Sequence, residues 1–252
     1  MFSQHVVEIV ERLGMRESLK EIETFLGEHD QFYIYKTSLS EELDGCTDKR
    51  KLFGYNAIRF IQSLLYRSKS LIEGSINALN NNSSLTSILS VRAHFETTGS
   101  SSFLHKRLTS YYLGNINFEK LDDDLFRLSL GSTTISNPKV PKPIQVMNLI
   151  DATDEYLKKI IPKDKAPHDK MFRELYEDLC DFCHPNYQGI SSGSKIIQAE
   201  RAIVYHSTNV ISDTHFLFFF HLCMSAKLFL HFYEELSRLL KEKEVMPIFH
   251  TS

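Results

Sequence analysis

Tryptophan is absent from this sequence of 252 residues, and cysteine, proline and glycine are all scarce. The four cysteines, at positions 46, 180, 183 and 223, are too few and too scattered to cross-link a chain of this length, which favours a reducing, cytoplasmic compartment. Seven prolines and ten glycines exclude a collagen-like or low-complexity chain. Hydrophobic residues make up 42% and charged residues 24% of the chain, as is typical of an ordinary globular protein.

Neither sign of charge is in large excess. The chain has 29 basic and 32 acidic residues, for a net charge of −3, so nothing attracts it globally to nucleic acid or to an anionic membrane. A polybasic binder is therefore excluded, whereas a local basic patch stays open. Glu8 and Glu11 interrupt the apolar positions of the N-terminus, which predicts a short amphipathic helix rather than a signal peptide.

Helical periodicity dominates the chain, and strict alternation of apolar and polar residues is confined to one short place. β-Branched residues on both sides of Ala199 and Glu200 predict a small hairpin there. We therefore expect an all-α fold, a multi-helix bundle with one small β-hairpin, as a single domain over 1–252 with N-terminal helices within 1–30 at its periphery. The predicted helices cover 3–13, 17–28, 50–79, 84–112, 118–130, 143–161, 168–183 and 212–242. Asparagine and serine at 80–84 predict a turn between two antiparallel helices.

The last predicted helix is apolar nearly all round, which is typical of a helix at the centre of a bundle. His221, Lys227 and His231 interrupt it, whereas a membrane span needs about 20 largely uncharged residues. We therefore expect a core helix and no membrane partner. Its phenylalanines are at positions 216, 218, 219, 220, 229 and 232.

Two opposite charges, Arg92 and Glu96, fall in the middle of an apolar stripe on the fourth predicted helix. Burial of an unpaired charge is costly, so each should pair with the other or with a further polar group. Two interpretations stay open. The pair is structural, either as a buried ion pair between packed helices or on a stripe so near the surface that both side chains reach water. Alternatively, it lines a pocket in which Arg92 binds an anion such as phosphate and Glu96 orients it. The stripe consists of Leu85, Ile88, Leu89, Gly99 and Phe103, where Gly99 leaves room for a close neighbour.

A second candidate segment is the predicted helix that ends at His184. His184 either caps the helix carbonyls or serves as an acid, base or phosphate ligand facing Arg92. Tyr176, on the apolar stripe of this helix, and Asn186, just after its end, are further candidate ligand contacts.

The same segment contains the pattern C-x-x-C-H at Cys180, Cys183 and His184. Haem attachment requires an exported chain, a redox dithiol belongs at a strand-to-helix turn, and a zinc site needs about four ligands. The sequence context satisfies none of these requirements. Gly-rich phosphate loops, serine-nucleophile elbows and H-E-x-x-H or E-x-x-H metal motifs are also missing, so we predict no metal and no cofactor. Other histidines, including His94, are expected to be satisfied core or surface residues.

The helix with Val91-Arg92-Ala93-His94-Phe95-Glu96, the later Cys183-His184-Pro185-Asn186 and a hairpin before an apolar helix together resemble bacterial helical families similar to the HEPN superfamily. The resemblance covers about 85–210. It implies binding or cleavage of RNA or a nucleotide, in a toxin–antitoxin or phage-defence role.

Metal-independent RNases of this superfamily pair an arginine with a histidine a few residues later, across a dimer. Arg92 and His94 are too close together in the sequence to match that spacing. Arg201 and His206 match it but lie in a predicted strand. RNA chemistry would therefore need Arg92 and His184 to converge, with arginine stabilising the phosphorane and histidine transferring a proton. The alternative is a non-catalytic module that binds another protein and in which the Arg92–Glu96 pair is structural. Either form could be a homodimer.

Overall fold

Eight α-helices and one β-hairpin make up the described part of the chain. The computed structural model describes residues 2–34, 47–133, 140–162, 169–185, 194–205 and 213–242. The helices are α1 (Gln4–Arg12), α2 (Arg16–Phe32), α3 (Lys49–Asn80), α4 (Ser84–Tyr112), α5 (Phe118–Leu130), α6 (Val146–Ile160), α7 (Met171–Cys183) and α8 (Asp213–Glu242). Strands β1 (Ser194–Ile197) and β2 (Ala202–Tyr205) pair antiparallel, with Ser194 opposite Tyr205. The predicted all-α bundle with one small hairpin is confirmed.

Local signals explain where several helices begin and end. The Asp48 carboxylate accepts a hydrogen bond from the backbone N–H of Arg50 at 2.9 Å, and the Asn117 side chain accepts one from the N–H of Lys120 at 3.0 Å. These are N-caps of α3 and α5, which satisfy amides that have no partner within the helix. Asn82 adopts a left-handed φ of 56°, which asparagine tolerates, and reverses the chain between α3 and α4. The predicted turn at 80–84 is confirmed.

Helix α4 occupies the centre of the bundle. It packs antiparallel to α3 and parallel to α8, and α5, α6 and α7 cover its remaining faces. Its small side chains allow this crowding, because a Cβ built on Gly99 would lie only 3.0 Å from the backbone of Leu149 in α6. The prediction that Gly99 leaves room for a close neighbour is confirmed, and the neighbour is α6.

A chain of hydrogen-bonded polar side chains crosses the core. His29 of α2 bonds Ser68 of α3 at 2.8 Å, and Ser68 bonds His94 of α4 at 2.8 Å. His94 in turn bonds the hydroxyl of Ser225 in α8 at 2.9 Å, and Thr98 of α4 bonds the same hydroxyl at 2.9 Å. All five side chains are buried, so these bonds replace those that water would make. Of the two positions expected for His94, a satisfied core residue or a surface residue, the structure shows the first.

Helix α8 contributes the largest share of phenylalanine to the core but leaves one face in contact with solvent. Phe216, Phe219 and Phe229 are buried, whereas Leu217 is 53% and Phe220 54% exposed. The helix therefore packs in the core as predicted, although one of its faces is exposed to solvent. By length and composition Phe216–Lys241 could cross a membrane, yet 61% of its apolar window is buried against the other helices. Such burial is what a core helix of a bundle shows.

Candidate functional site

Arg92 and Glu96 lie at the edge of the core, not at its centre. Each side chain is 28% exposed. The flanking members of the predicted stripe are further out, since Leu85 is 50% and Leu89 44% exposed. The prediction that both charges are buried in the core is therefore wrong, whereas the alternative of a stripe so near the surface that both side chains reach water is confirmed.

The buried face of α4 is rotated away from the predicted apolar stripe, because small polar residues occupy much of the buried face. Ile88, Val91 and Phe95 are buried there, but so are Ser87 and His94. The Ser87 hydroxyl bonds Ser75 of α3 at 2.8 Å and His94 bonds two serines, so their burial leaves no unpaired polar group. A prediction from hydropathy treats serine and histidine as exposed. The core face that it predicts for α4 is therefore rotated toward Arg92.

Helix α7 brings Tyr176 to the charged pair. The Nε atom of Arg92 lies 3.5 Å from Oε1 of Glu96, and the Tyr176 hydroxyl donates a hydrogen bond of 2.9 Å to the same oxygen. The guanidinium carbon of Arg92 is 5.9 Å from the centre of the Tyr176 ring, within the range of a cation–π contact. The prediction that Arg92 and Glu96 pair with each other or with a polar neighbour is confirmed, and both partners are present.

Two cysteines complete the surroundings of Arg92. Arg92 interacts electrostatically with Cys180 and Cys183 of α7. Burial raises the pKa of the Cys183 thiol, although Arg92 opposes the shift, and burial also raises the pKa of Tyr176. Both groups therefore keep their protons at neutral pH. Sequence reasoning treated the cysteines only as a metal or redox motif, although their spacing from Tyr176 places all three on one side of α7.

Arg92 remains a cation in this setting. Burial by itself lowers the pKa of Arg92, but the interactions with Tyr176, Cys180 and Glu96 outweigh burial and raise it. Its Nε atom has no hydrogen-bond partner within the described residues, even though Glu96 lies 3.5 Å away. The arrangement thus holds one permanent positive charge beside one carboxylate, on a side chain that is 28% exposed.

His184 follows Cys183 directly, at the C-terminal end of α7. Its backbone N–H donates to the carbonyl oxygen of Cys180 at 3.0 Å, and its side chain is exposed. In the part of the chain that the structure describes, no hydrogen bond joins the His184 side chain to Arg92 or Glu96. The candidate Asn186 lies outside the described residues, as does His206 of the Arg201–His206 spacing.

The described ranges also bring no three histidine, cysteine, aspartate or glutamate side chains together in a way that could hold a metal ion. Cys180 and Cys183 are free thiols inside a helix. Comparison with protein families, with curated proteins and with solved structures found no match for this chain. The geometry of the site is thus the basis for a functional proposal.

Proposed function

We propose that this chain is a HEPN-like helical protein that binds RNA or a nucleotide through a phosphate contact of Arg92. The observation that carries the proposal is the position of the Arg92 side chain, whose guanidinium lies over the Tyr176 ring and beside Glu96. This side chain is 28% exposed at the surface where α4 and α7 meet. A planar guanidinium held in one orientation suits two-point contact with a phosphate.

The neighbours of Arg92 orient a bound anion more than they attract it. Glu96 carries a negative charge that would weaken binding of any anion, so the site is not a general anion trap. Tyr176 donates to Glu96 and thereby fixes the carboxylate on the Arg92 side. We therefore expect selective recognition of a phosphate that approaches the exposed part of the Arg92 side chain, with other parts of the ligand supplying affinity.

Cleavage is a further step that requires His184. The exposed imidazole, one residue after a neighbour of Arg92, could transfer a proton while Arg92 stabilises charge on the phosphate. Such a reaction needs no metal ion. Binding depends on Arg92 and not on His184, whereas cleavage depends on both residues.

The second candidate function is a module that binds another protein or a second copy of itself. Leu85 and Leu89 are half exposed on the same face of α4 as Arg92, and Leu217 and Phe220 are half exposed on α8. Large exposed apolar side chains are common at protein interfaces. In this case the Arg92–Glu96 pair is structural and the exposed leucines carry the contact.

The test combines RNA binding and RNA cleavage in the presence of EDTA. Fluorescence anisotropy of a labelled single-stranded RNA measures binding, and gel electrophoresis of the same RNA measures cleavage. Arg92→Gln should weaken binding at least about tenfold, the loss expected from one charge-assisted contact. His184→Ala should keep the affinity and abolish cleavage. Arg16→Gln, on the exposed part of α2, is the matched control and should change neither.

The outcomes separate the hypotheses. RNA binding that survives Arg92→Gln, or no binding by the wild type, would refute the phosphate site and favour the protein-binding module. Binding that needs Arg92, without cleavage, would keep the ligand site and exclude the nuclease. The oligomeric state, measured by light scattering for the wild type and for Leu89→Glu, tests the alternative directly.

A further inference from the structure

A cavity of about 370 Å³ opens between α3 and α5. Small-molecule sites in proteins commonly have volumes of about 300–1,000 Å³, so this cavity is large enough for a small ligand. None of its lining residues belongs to the Arg92 site. The charged and apolar residues that matter here are Arg59, Phe60, Asp122, Leu125, Phe126 and Leu130.

The cavity carries one charge of each sign. The Asp122 carboxyl is partly buried, and burial raises its pKa against the opposing influence of Lys49. A positively charged donor placed beside Asp122 would favour its ionised form. Arg59 is exposed on α3, and its guanidinium is suited to bind a carboxylate in a bidentate manner. The cavity therefore complements a ligand that carries an ammonium and a carboxylate.

The remaining lining is apolar and aromatic. Phe60 and Leu125 are partly or fully buried in the wall, whereas Phe126 is 45% and Leu130 55% exposed. Exposed apolar side chains around a concave surface favour an apolar ligand group, because its binding removes both surfaces from water. Phenylalanine rings on both helices also favour an aromatic group, which packs on their faces or edges.

We propose that this cavity binds a free α-amino acid with a large apolar side chain, preferably an aromatic one. The ligand ammonium donates to Asp122, the ligand carboxylate accepts from Arg59, and the side chain packs against Phe60 and Phe126. A neutral aromatic molecule would pair with neither Asp122 nor Arg59, and a polar amino acid would not cover the apolar wall. This site is independent of the Arg92 site.

The absence of tryptophan from the chain provides a direct assay. L-Tryptophan is itself a candidate ligand, and its fluorescence can be followed as full-length protein is added, without protein tryptophan emission. Asp122→Asn and Arg59→Gln should each weaken binding by about tenfold or more, as expected for loss of a charge-assisted hydrogen bond. Glu119→Gln on α5 and Arg50→Gln on α3 are matched controls outside the cavity and should keep the wild-type affinity.

Two analogues test the roles of the two charges. Tryptamine lacks the carboxylate, so its binding should be weaker than that of L-tryptophan and should not be weakened further by Arg59→Gln. Indole-3-propionate lacks the ammonium, so its binding should not be weakened by Asp122→Asn.

Absence of binding at about 10 mM L-tryptophan, far above a millimolar Kd, would overturn the proposal. Equal affinity of the wild type and both cavity variants would overturn it as well. Arg92→Gln should leave L-tryptophan binding unchanged, so failure of the RNA-binding proposal and failure of this one are separate results.

Discussion

His94 should make the stability of the bundle depend on pH. The carbonyl oxygen of Phe25 can only accept, so the Nδ1 atom of His29 carries the proton. The Ser68 hydroxyl then donates to Nε2 of His29 and accepts from the Nε2–H of His94. Nδ1 of His94 is left as an acceptor for the Ser225 hydroxyl. Neutral His94 is therefore fully satisfied, and a second proton would remove its bond from Ser225.

The magnitude follows from the pKa of His94. Burial, reinforced by the charges of His29 and Arg67, lowers this pKa from 6.5 to about 3. Because the folded pKa is the lower one, the unfolded chain takes up the proton first. The stabilisation is thus complete above pH 6.5 and is lost as the pH falls toward 3. Each pH unit in this window corresponds to about 1.4 kcal/mol, so His94 alone removes about 2 kcal/mol at about pH 5.

Urea unfolding followed by circular dichroism at about pH 7.5 and about pH 5 tests this expectation. His94→Gln should be less stable than the wild type at the higher pH by about 1–3 kcal/mol, because the hydrogen-bond chain is broken. Between the higher and the lower pH, the free energy of unfolding of His94→Gln should fall by about 2 kcal/mol less than that of the wild type. His5→Gln, at an exposed position of α1, should behave like the wild type.

The comparison between variants isolates His94 from other buried titratable groups. If His94→Gln loses as much stability on acidification as the wild type, His94 is not the proton-linked group and the buried chain does not exist as described.

Two further changes test the packing around α4 and α7. Gly99→Ala should destabilise the protein by about 1–3 kcal/mol, since the new Cβ meets the Leu149 backbone at 3.0 Å; Gly27→Ala, which meets nothing within 4 Å, should not lower the urea midpoint. Asp154→Ala should cost about 1–2 kcal/mol, because this buried carboxylate accepts hydrogen bonds of 2.8 and 3.0 Å from two N-terminal amides of α7. Hydrogen exchange should then accelerate in α7 before it does in α4, and equal protection in both helices would contradict the assignment of Asp154 as the cap.

Helix positions could be predicted because their signals are local. Helix α4 spans 84–112 and the hairpin surrounds Ala199 and Glu200, both as expected from periodicity and turn residues. Helix α2 ends at Phe32, four residues later than the predicted end at 28. The extension occurs because His29 is buried and bonded to Ser68, which its polarity in the sequence does not reveal.

The candidate site was only partly predictable. Arg92 and Glu96 are one helical turn apart, so their pairing follows from the sequence. Tyr176 meets Glu96 only because α7 packs on α4, a contact between residues 80 positions apart. The lining of the cavity between α3 and α5, including Arg59 and Asp122, likewise depends on how two helices approach each other. No periodicity within one segment carries that information.

The number and approximate extent of the helices follow from local signals, because periodicity, caps and turn residues act within a few positions of the chain. Which face of a helix is buried depends on contacts between helices. On α4 the outcome depends on Ser75 of α3 and Ser225 of α8, whose hydroxyls satisfy Ser87 and His94 and allow them into the core. The polar side chains thereby take the interior, and Arg92 stays within reach of water.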